Sequence, residues 1–458
     1  MIRLKSCRQR VFLTILACDV SMVDVWLPYG KTDVCVRVPA RNLIGSIEPK
    51  ERPPCPYPNA EVERALRDPI PKGMRRLSEI ALPESKVAIV VDDHTRRASS
   101  GPILLPVLAE LNLAGVKDEN ITVIFASGTH RPVKPEEATV LLGDEVTKRV
   151  KAVSHDCKAT DLVLVGTTKH GNKVFLNRTF VEADVRVLLG DVGFHYYAGY
   201  GGGRKSVLPG VAGEETIKFN HSLMLSADAR TGVLDGNPVH EDMTEAAKLA
   251  KVDFIVNVVT NSKCEIIEAF AGELEPAFNQ GVKLVDEMYR VTVERRAEIV
   301  VVSCGGAPAD INLYQAYKAV DAALEVTKRG GVIVLIAECP EGHGNQVFYD
   351  WMVRFPDLKA VEKEIKRNFV LGGHKAYYLL KALQNHQIIL VSTLPDYYAT
   401  SIFKLKTARA VNDALNEAFN VAGKAARVWT IPQGNYTLPE VKASAEDASF
   451  ELFSGEKT

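Results

Sequence analysis

Long apolar runs are missing from this 458-residue chain: no stretch approaches the ~20 residues needed to span a bilayer. Cysteines are few and scattered. The eight of them stand at 7, 18, 35, 55, 157, 264, 304 and 339, and no pair has Cys-x-x-Cys spacing, so neither a zinc ribbon nor a thioredoxin-type motif is signalled. So low a thiol density in a long chain points to free thiols in a reducing compartment, hence the cytoplasm. An excess of one charge is absent too. With 56 basic and 57 acidic residues the formal charge is −1, without the basic surplus of a chain that wraps nucleic acid. Aromatic residues, at 7%, are too sparse for a base-stacking surface. No internal repeat or low-complexity segment occurs.

What is present is ordinary globular material, 46% apolar and 25% charged, long enough for two or three domains. Residues 1–21 stand apart. Arg3, Lys5, Arg8 and Arg10 precede an apolar run over 11–18, which reads as a short signal-like segment or as a start placed ahead of Met22. From Met22 a natural first strand begins.

Further on, short apolar runs end in polar or glycine residues and lead into helical patterns. The run 87–91 ends at Asp92 and Asp93, 121–125 at Ser127-Gly128-Thr129-His130, and 185–189 at Gly190-Asp191. In the second half, 299–302 ends at Cys304-Gly305-Gly306, 332–336 at Glu338-Cys339-Pro340, and 388–391 at Ser392. This alternation predicts an α/β fold, with mostly parallel sheets flanked by helices. Ligands of such sheets gather at the carboxyl ends of the strands. A helix ending near Tyr289, followed by the charged Glu294-Arg295-Arg296, marks a domain boundary within 285–296.

The densest chemical signal runs from Phe194 to Gly210 and contains His195, Gly199, Gly201, Gly202, Gly203, Arg204 and Lys205. Closely spaced glycines let backbone N–H groups approach an anion. A nucleotide P-loop needs glycine directly before its Lys-Ser/Thr, and Arg204 occupies that place. A Gly-x-Gly-x-x-Gly fingerprint fails as well, because Lys205 or Ser206 falls where glycine is required, which disfavours a nicotinamide dehydrogenase. Other polar groups stand at strand ends: Asp93 and Arg96, then His130. His221 follows Lys205 by sixteen residues. Gln315 and Lys318, three apart, share a helix face. Taken singly, each of these reads as ordinary helix or surface material.

Together they resemble the nickel-pincer lactate racemase family over nearly the whole chain from Met22. The motifs that carry the resemblance are Asp-x-Thr-Arg at 93–96, Gly-Thr-His-Arg-Pro around His130, His-x-x-Ala-Gly-x-x-Gly-Gly-x-Lys with Leu-Pro-Gly at 195–210, and Gly-Gly-x-Pro-x-Asp with Tyr-Gln-x-x-Lys at 305–318. Two departures are Arg97, where the family commonly has proline, and Phe194, where proline often precedes the histidine.

The resemblance implies a 2-hydroxy acid racemase or epimerase, of the isomerase class. Its cofactors are nickel and pyridinium-3-thioamide-5-thiocarboxylic acid mononucleotide, the nickel-pincer nucleotide, linked covalently to Lys205, with His221 completing the metal's coordination. Gly201, Gly202, Gly203 and Arg204 are then expected at the nucleotide phosphate. Inversion through a 2-keto acid, by hydride transfer to and from the cofactor ring, calls for two acid–base groups, matched by His130 and His195. Arg96, Gln315 and Lys318 are expected on the substrate carboxylate, with Asp93 orienting a histidine or Arg96.

The expected domains are 22–288, binding cofactor, and 289–424, contributing carboxylate contacts across an interdomain cleft, with residues from about 425 packing back on the first. Expected partners are a small 2-hydroxy acid and the cofactor-making enzymes, in a possible homo-oligomer, with no nucleic acid and no membrane. The alternatives are a larger substrate (malate, an aromatic or a sugar acid) or a non-catalytic nickel- or nucleotide-binding protein.

Overall fold

The computed structural model describes residues 21–95 and 100–442; the segment 1–20 and Arg96 lie outside the described residues. Two six-stranded sheets organise the chain. In the first, the spatial order is Ile266–Gly272, Phe254–Thr260, Val185–Asp191, Val87–Val91, Ile121–Phe125 and Lys151–Ser154. Neighbours run parallel except for the edge hairpin of Phe254–Thr260 with Ile266–Gly272. In the second, the order is Lys406–Ala408, Gln387–Val391, Thr327–Ile336, Ala297–Ser303, Val428–Ile431 and Leu43–Ser46, parallel throughout. Every residue of Val87–Val91 is buried, as a strand covered by helices on both faces requires. The α/β fold with mostly parallel sheets flanked by helices is therefore what the chain adopts.

Strand membership differs from the expected division. Leu43–Ser46 pairs with Val428–Ile431 at the edge of the second sheet. Leu27, Val36 and Val38, from the preceding hairpin of Met22–Tyr29 with Thr32–Pro39, enter the core beneath that same sheet with Ile299, Val301 and Val334. Residues 22–46 thus belong with the second unit and not the first. Val428–Ile431 likewise completes the second sheet instead of returning to the first. The physical reason is that Ala297–Ser303 has an open hydrogen-bonding edge on one side, which the late strand fills, and the early strand then covers the late one.

The chain crosses between the units twice, near 47–51 and near 288–290, and the crossings touch: Lys50 N–H donates to the Met288 carbonyl at 2.6 Å. One apolar core runs through the contact between the units, from Val90 and Leu188 of the first sheet to Val300 and Leu335 of the second.

Two asparagine caps start helices that matter for the site. Asn237 accepts from Val239 N and His240 N at the head of Pro238–Leu249, and Asn312 accepts from Gln315 N at the head of Leu313–Val326. Among the described residues no helix is long and apolar enough to cross a membrane.

Candidate active site

Asp93 follows the central strand Val87–Val91 and is buried. Its Oδ2 receives His130 Nδ1 at 2.8 Å, and its Oδ1 accepts from the Thr95 hydroxyl at 2.5 Å and the Thr95 N–H at 3.1 Å. The carboxylate therefore holds a His130 proton on Nδ1 and turns Nε2 away from itself. His94 Nδ1 lies 3.9 Å from the same carboxylate. His130 reaches this place because the loop after Ile121–Phe125 turns sharply, with Gly128 at φ +50° and its N–H on the Gly210 carbonyl.

His195 sits in a two-residue strand, Phe194–His195, paired with Gly199–Tyr200. Its Nδ1 accepts from Ala198 N–H at 3.3 Å. The ring is edge-on to Tyr197 at 4.5 Å between centroids, and Tyr197 meets the His221 ring at 5.3 Å. His221 projects from Glu214–Ser222 and is buried. Burial first, then the charges of Lys205 and His130, pull its pKa down to about 3, so the ring is neutral at ordinary pH. His130, His195, Lys205 and His221, scattered over some ninety residues of sequence, thus converge.

The glycine-rich loop departs from the expected anion cradle. Gly201 N–H donates to the Gly193 carbonyl at 2.7 Å, and Gly203 N–H to Asn257 Oδ1 at 3.0 Å. Gly202 and Gly203 both have positive φ, and a Cβ at Gly202 would stand 2.9 Å from the Asp191 carbonyl. Close packing on the Asp191 carbonyl accounts for Gly202, and close packing on the Phe278 ring for Gly203.

Arg204 is corrected in the same way. It is 1% exposed, donates to the carbonyls of Ala198 at 2.9 Å, Tyr200 at 3.0 Å and Gly202 at 3.1 Å and to His240 Nδ1 at 3.0 Å, and lies over the Phe278 ring. Its guanidinium braces the loop that carries His195 and Lys205 and does not reach for a phosphate. Lys205 itself lies on the short turn Gly203–Ser206, half-buried and close enough to bear on His221.

From the second unit, the helices Leu313–Val326 and Gly373–Leu383 meet over Tyr196. His374 Nδ1 accepts from Gly372 N–H at 3.1 Å, so its Nε2–H donates to the Tyr196 hydroxyl oxygen at 2.6 Å. The Lys375 amino group sits 4.0 Å from the Tyr196 ring centre with Tyr314 and Tyr317 beside it. Burial, then the Lys318 charge, hold the Lys375 pKa well below the usual lysine range, which puts Lys318 at this same junction. Gln315, one turn earlier, is half-buried beside Tyr314.

A cleft of about 400 Å³ opens beside this contact, lined by Thr129, His130, Glu214, Ile217 and Lys218 on one side and by Asn345 and residues 368–371 on the other. Phe369 from its far wall packs on the His221 ring at 5.6 Å. Phe369, His374 and Lys375 were invisible to motif reading, since each gains its meaning from a neighbour on the other unit. His155 is a structural brace, Nε2 bonding the Ala212 carbonyl at 2.9 Å.

The fold and site define a two-unit α/β protein whose histidines, buried lysine-bearing loop and cationic helix meet at the junction between the units. The comparisons narrow this. Residues 29–232 match the family profile of the lactate racemase N-terminal domain, and residues 292–437 that of the C-terminal domain. The lactate racemase of Thermoanaerobacterium thermosaccharolyticum is 35% identical over 422 residues, covering 90% of this chain and 98% of that protein. That of Lactiplantibacillus plantarum is 33% identical over 425 residues, with 90% and 99% coverage. The solved lactate racemase apoprotein from T. thermosaccharolyticum superposes with a TM-score of 0.85 at 33% identity, over 91% of this chain and 100% of that one. The chain belongs to the lactate racemase family and is an isomerase.

Proposed function

We propose that the protein inverts C2 of a small 2-hydroxy acid, with lactate the substrate its relatives favour, and that it does so with a nickel-pincer nucleotide held by Lys205 and His221. The observation that carries this reading is the convergence of His130, His195 and Lys205 on a buried, neutral His221. The donor set fits the group. Among the described residues no cluster of three or more His, Cys, Asp or Glu could hold a metal ion. A metal at His221 therefore takes its other donors from a bound molecule, and imidazole with sulfur suits Ni(II). When bound, the group supplies a reversible hydride acceptor, so that C2 can become planar.

The chain's own residues would do the rest. His130 Nε2 takes the hydroxyl proton on one face of the substrate, and Asp93 stabilises the imidazolium that results. His195 serves the opposite enantiomer. Gln315 and Lys318, with Arg96, hold the carboxylate. The wall supplied by residues 368–371 keeps water from the reacting carbon. Cys35, Cys55, Cys157 and Cys339 stand as free thiols, which supports a cytoplasmic location. Loading requires the enzymes that make the cofactor.

The second reading is a larger 2-hydroxy acid, which would share the cleft of about 400 Å³ beside His130 with the nucleotide. The test is chiral analysis of holoprotein, co-produced with the cofactor-making enzymes, against single enantiomers of lactate, malate and aromatic and sugar 2-hydroxy acids. Conversion of D- or L-lactate to an equal mixture is expected, together with a mass adduct on Lys205. Adduct-bearing protein that inverts none of the panel would overturn the reading; inversion of malate alone would select the second one.

A further inference from the structure

Behind His221 lies a buried polar network that the reaction scheme leaves unused. It joins the turn between Val163–Thr167 and Lys173–Leu176 to the helices Glu214–Ser222 and Pro238–Leu249. Thr168, Asn172, Asn220, His221 and Asp242 are all at most 4% exposed. Asp242 is the centre. Its Oδ1 accepts from the Thr168 hydroxyl at 2.6 Å, and its Oδ2 from Asn172 Nδ2 at 2.8 Å and Asn220 Nδ2 at 2.9 Å. Asn220 Nδ2 donates in addition to the Val239 carbonyl at 3.1 Å. Asn220 Oδ1, at the opposite end of that amide, meets His221 Nδ1 at 3.1 Å.

These contacts permit one assignment of protons. The Val239 carbonyl has no proton to give, and Asp242 already receives two other donors. The Asn220 amide must therefore turn its NH₂ toward both of them. Reversing it would set its oxygen against two buried acceptors and leave them unsatisfied, at about 1–3 kcal/mol for each orphaned group. With the amide so fixed, Oδ1 is an acceptor and His221 Nδ1 is the donor. A neutral imidazole has one N–H, so Nε2 carries a lone pair. Among the described residues no hydrogen bond reaches that nitrogen.

We propose that Asp242, acting through Asn220, is a positioning residue: it fixes the His221 ring with its proton on Nδ1 and presents the Nε2 lone pair to a metal ion. The metal half rests on the nickel reading given above; the proton half does not. Partners that hold the far nitrogen of a ligating histidine in this manner set both ring orientation and basicity. Here the partner is a neutral amide, and the carboxylate stands one residue further out. Asp242 thus imposes direction on the amide without placing a full charge against the imidazole.

The experiment reads the proton directly. In histidine-¹⁵N-labelled apoprotein, His221 signals are identified by their loss in His221→Gln. Wild type is expected to show a pyrrole-type Nδ1 and a pyridine-type Nε2. Asp242→Asn replaces a carboxylate that can only accept by a neutral amide with one donor end, and so weakens the bias. The His221 proton should move toward Nε2, and nickel affinity in holoprotein should fall ~10–100-fold. Asn220→Ala should lose the same fixed pattern. A wild-type ring protonated on Nε2 overturns the proposal outright, as do variants that fold and leave both the ¹⁵N pattern and nickel unchanged. Should Asp242→Asn fail to fold, the wild-type spectrum and Asn220→Ala still decide. The expected spectrum in a holoprotein without nickel would uphold the hold of Asp242 on the ring and refute the nickel reading alone.

Discussion

Arg204 discriminates sharply between two uses of a Gly-Gly-Gly-Arg-Lys loop, and replacing it is the most telling perturbation. Arg204→Met keeps a long apolar stem against Phe278 and removes every donor. The carbonyls of Ala198, Tyr200 and Gly202 lose the guanidinium, while Ala198 keeps the Tyr200 N–H and Gly202 the Lys205 N–H. At a net value of about 1 kcal/mol for each of the three hydrogen bonds removed, the loss is about 3 kcal/mol. His240 adds little, since its ring proton can move to the nitrogen that Arg204 vacates. Arg204→Lys should recover only part of the loss. An ammonium is compact and cannot reproduce the planar fork that reaches three carbonyls and His240 at once. The assay is urea unfolding of apoprotein, where no phosphate is present to be bound. Both variants should shift the midpoint down, methionine further than lysine. If both unfold at the wild-type midpoint while cofactor retention falls, the brace is wrong and the guanidinium serves a phosphate after all.

Three further outcomes are expected. Asp93→Asn should lower turnover ~100-fold or more, because an amide can turn its NH₂ to His130 Nδ1 and drive the ring proton onto Nε2, while the Lys205 adduct survives unchanged by intact mass. Lys318→Ala should raise KM and lower kcat together with nickel content constant; two unchanged constants would make it a solvated helix lysine. Stability should fall as pH drops from 7 to 5, measured as the urea midpoint. Burial holds His155, His221, His240, His374 and His386 below their ordinary value, so these rings take up protons on unfolding below about pH 6.5. Glu325, pushed up to about 7, and Asp253 and Asp321, also raised by burial, act in the opposite sense, and five histidines outnumber three carboxyls. A midpoint that is flat or rises toward pH 5 would contradict this.

The strands that sequence reading recovers are those whose signal is local. Val87–Val91, Ile121–Phe125 and Gln387–Val391 are short β-branched runs with polar ends, and the polar end of the first two places Asp93 beside His130. Pairing partners are not local. Nothing in residues 43–46 says that they will lie beside a strand 385 positions away, because a parallel edge strand is chosen by which edge remains open. The site divides in the same way. His130, His195 and Lys205 stand in dense motifs, whereas His374 lies in an unremarkable amphipathic helix and becomes informative only through Tyr196, 178 residues distant. Arg204 misled for the opposite reason. Its neighbours looked like an anion loop, and only its burial shows that the guanidinium faces inward.

The two adjoining crossings at 47–51 and 288–290 make the first unit an insertion hung on its host like a door on paired pins. A single linker would let the units twist, slide and swing. Two strands of chain passing side by side, tied by Lys50 to Met288 and by the Tyr289 hydroxyl to Glu51, suppress the first two motions and leave the swing. The jaw that swing opens has His221 on one side and Phe369 on the other. Any widening of that jaw would turn about one line. The same line bears on production of the protein in parts: a cut at residue 289 strands residues 22–46 on the wrong fragment, whereas the stretch between the pins can be lifted out whole.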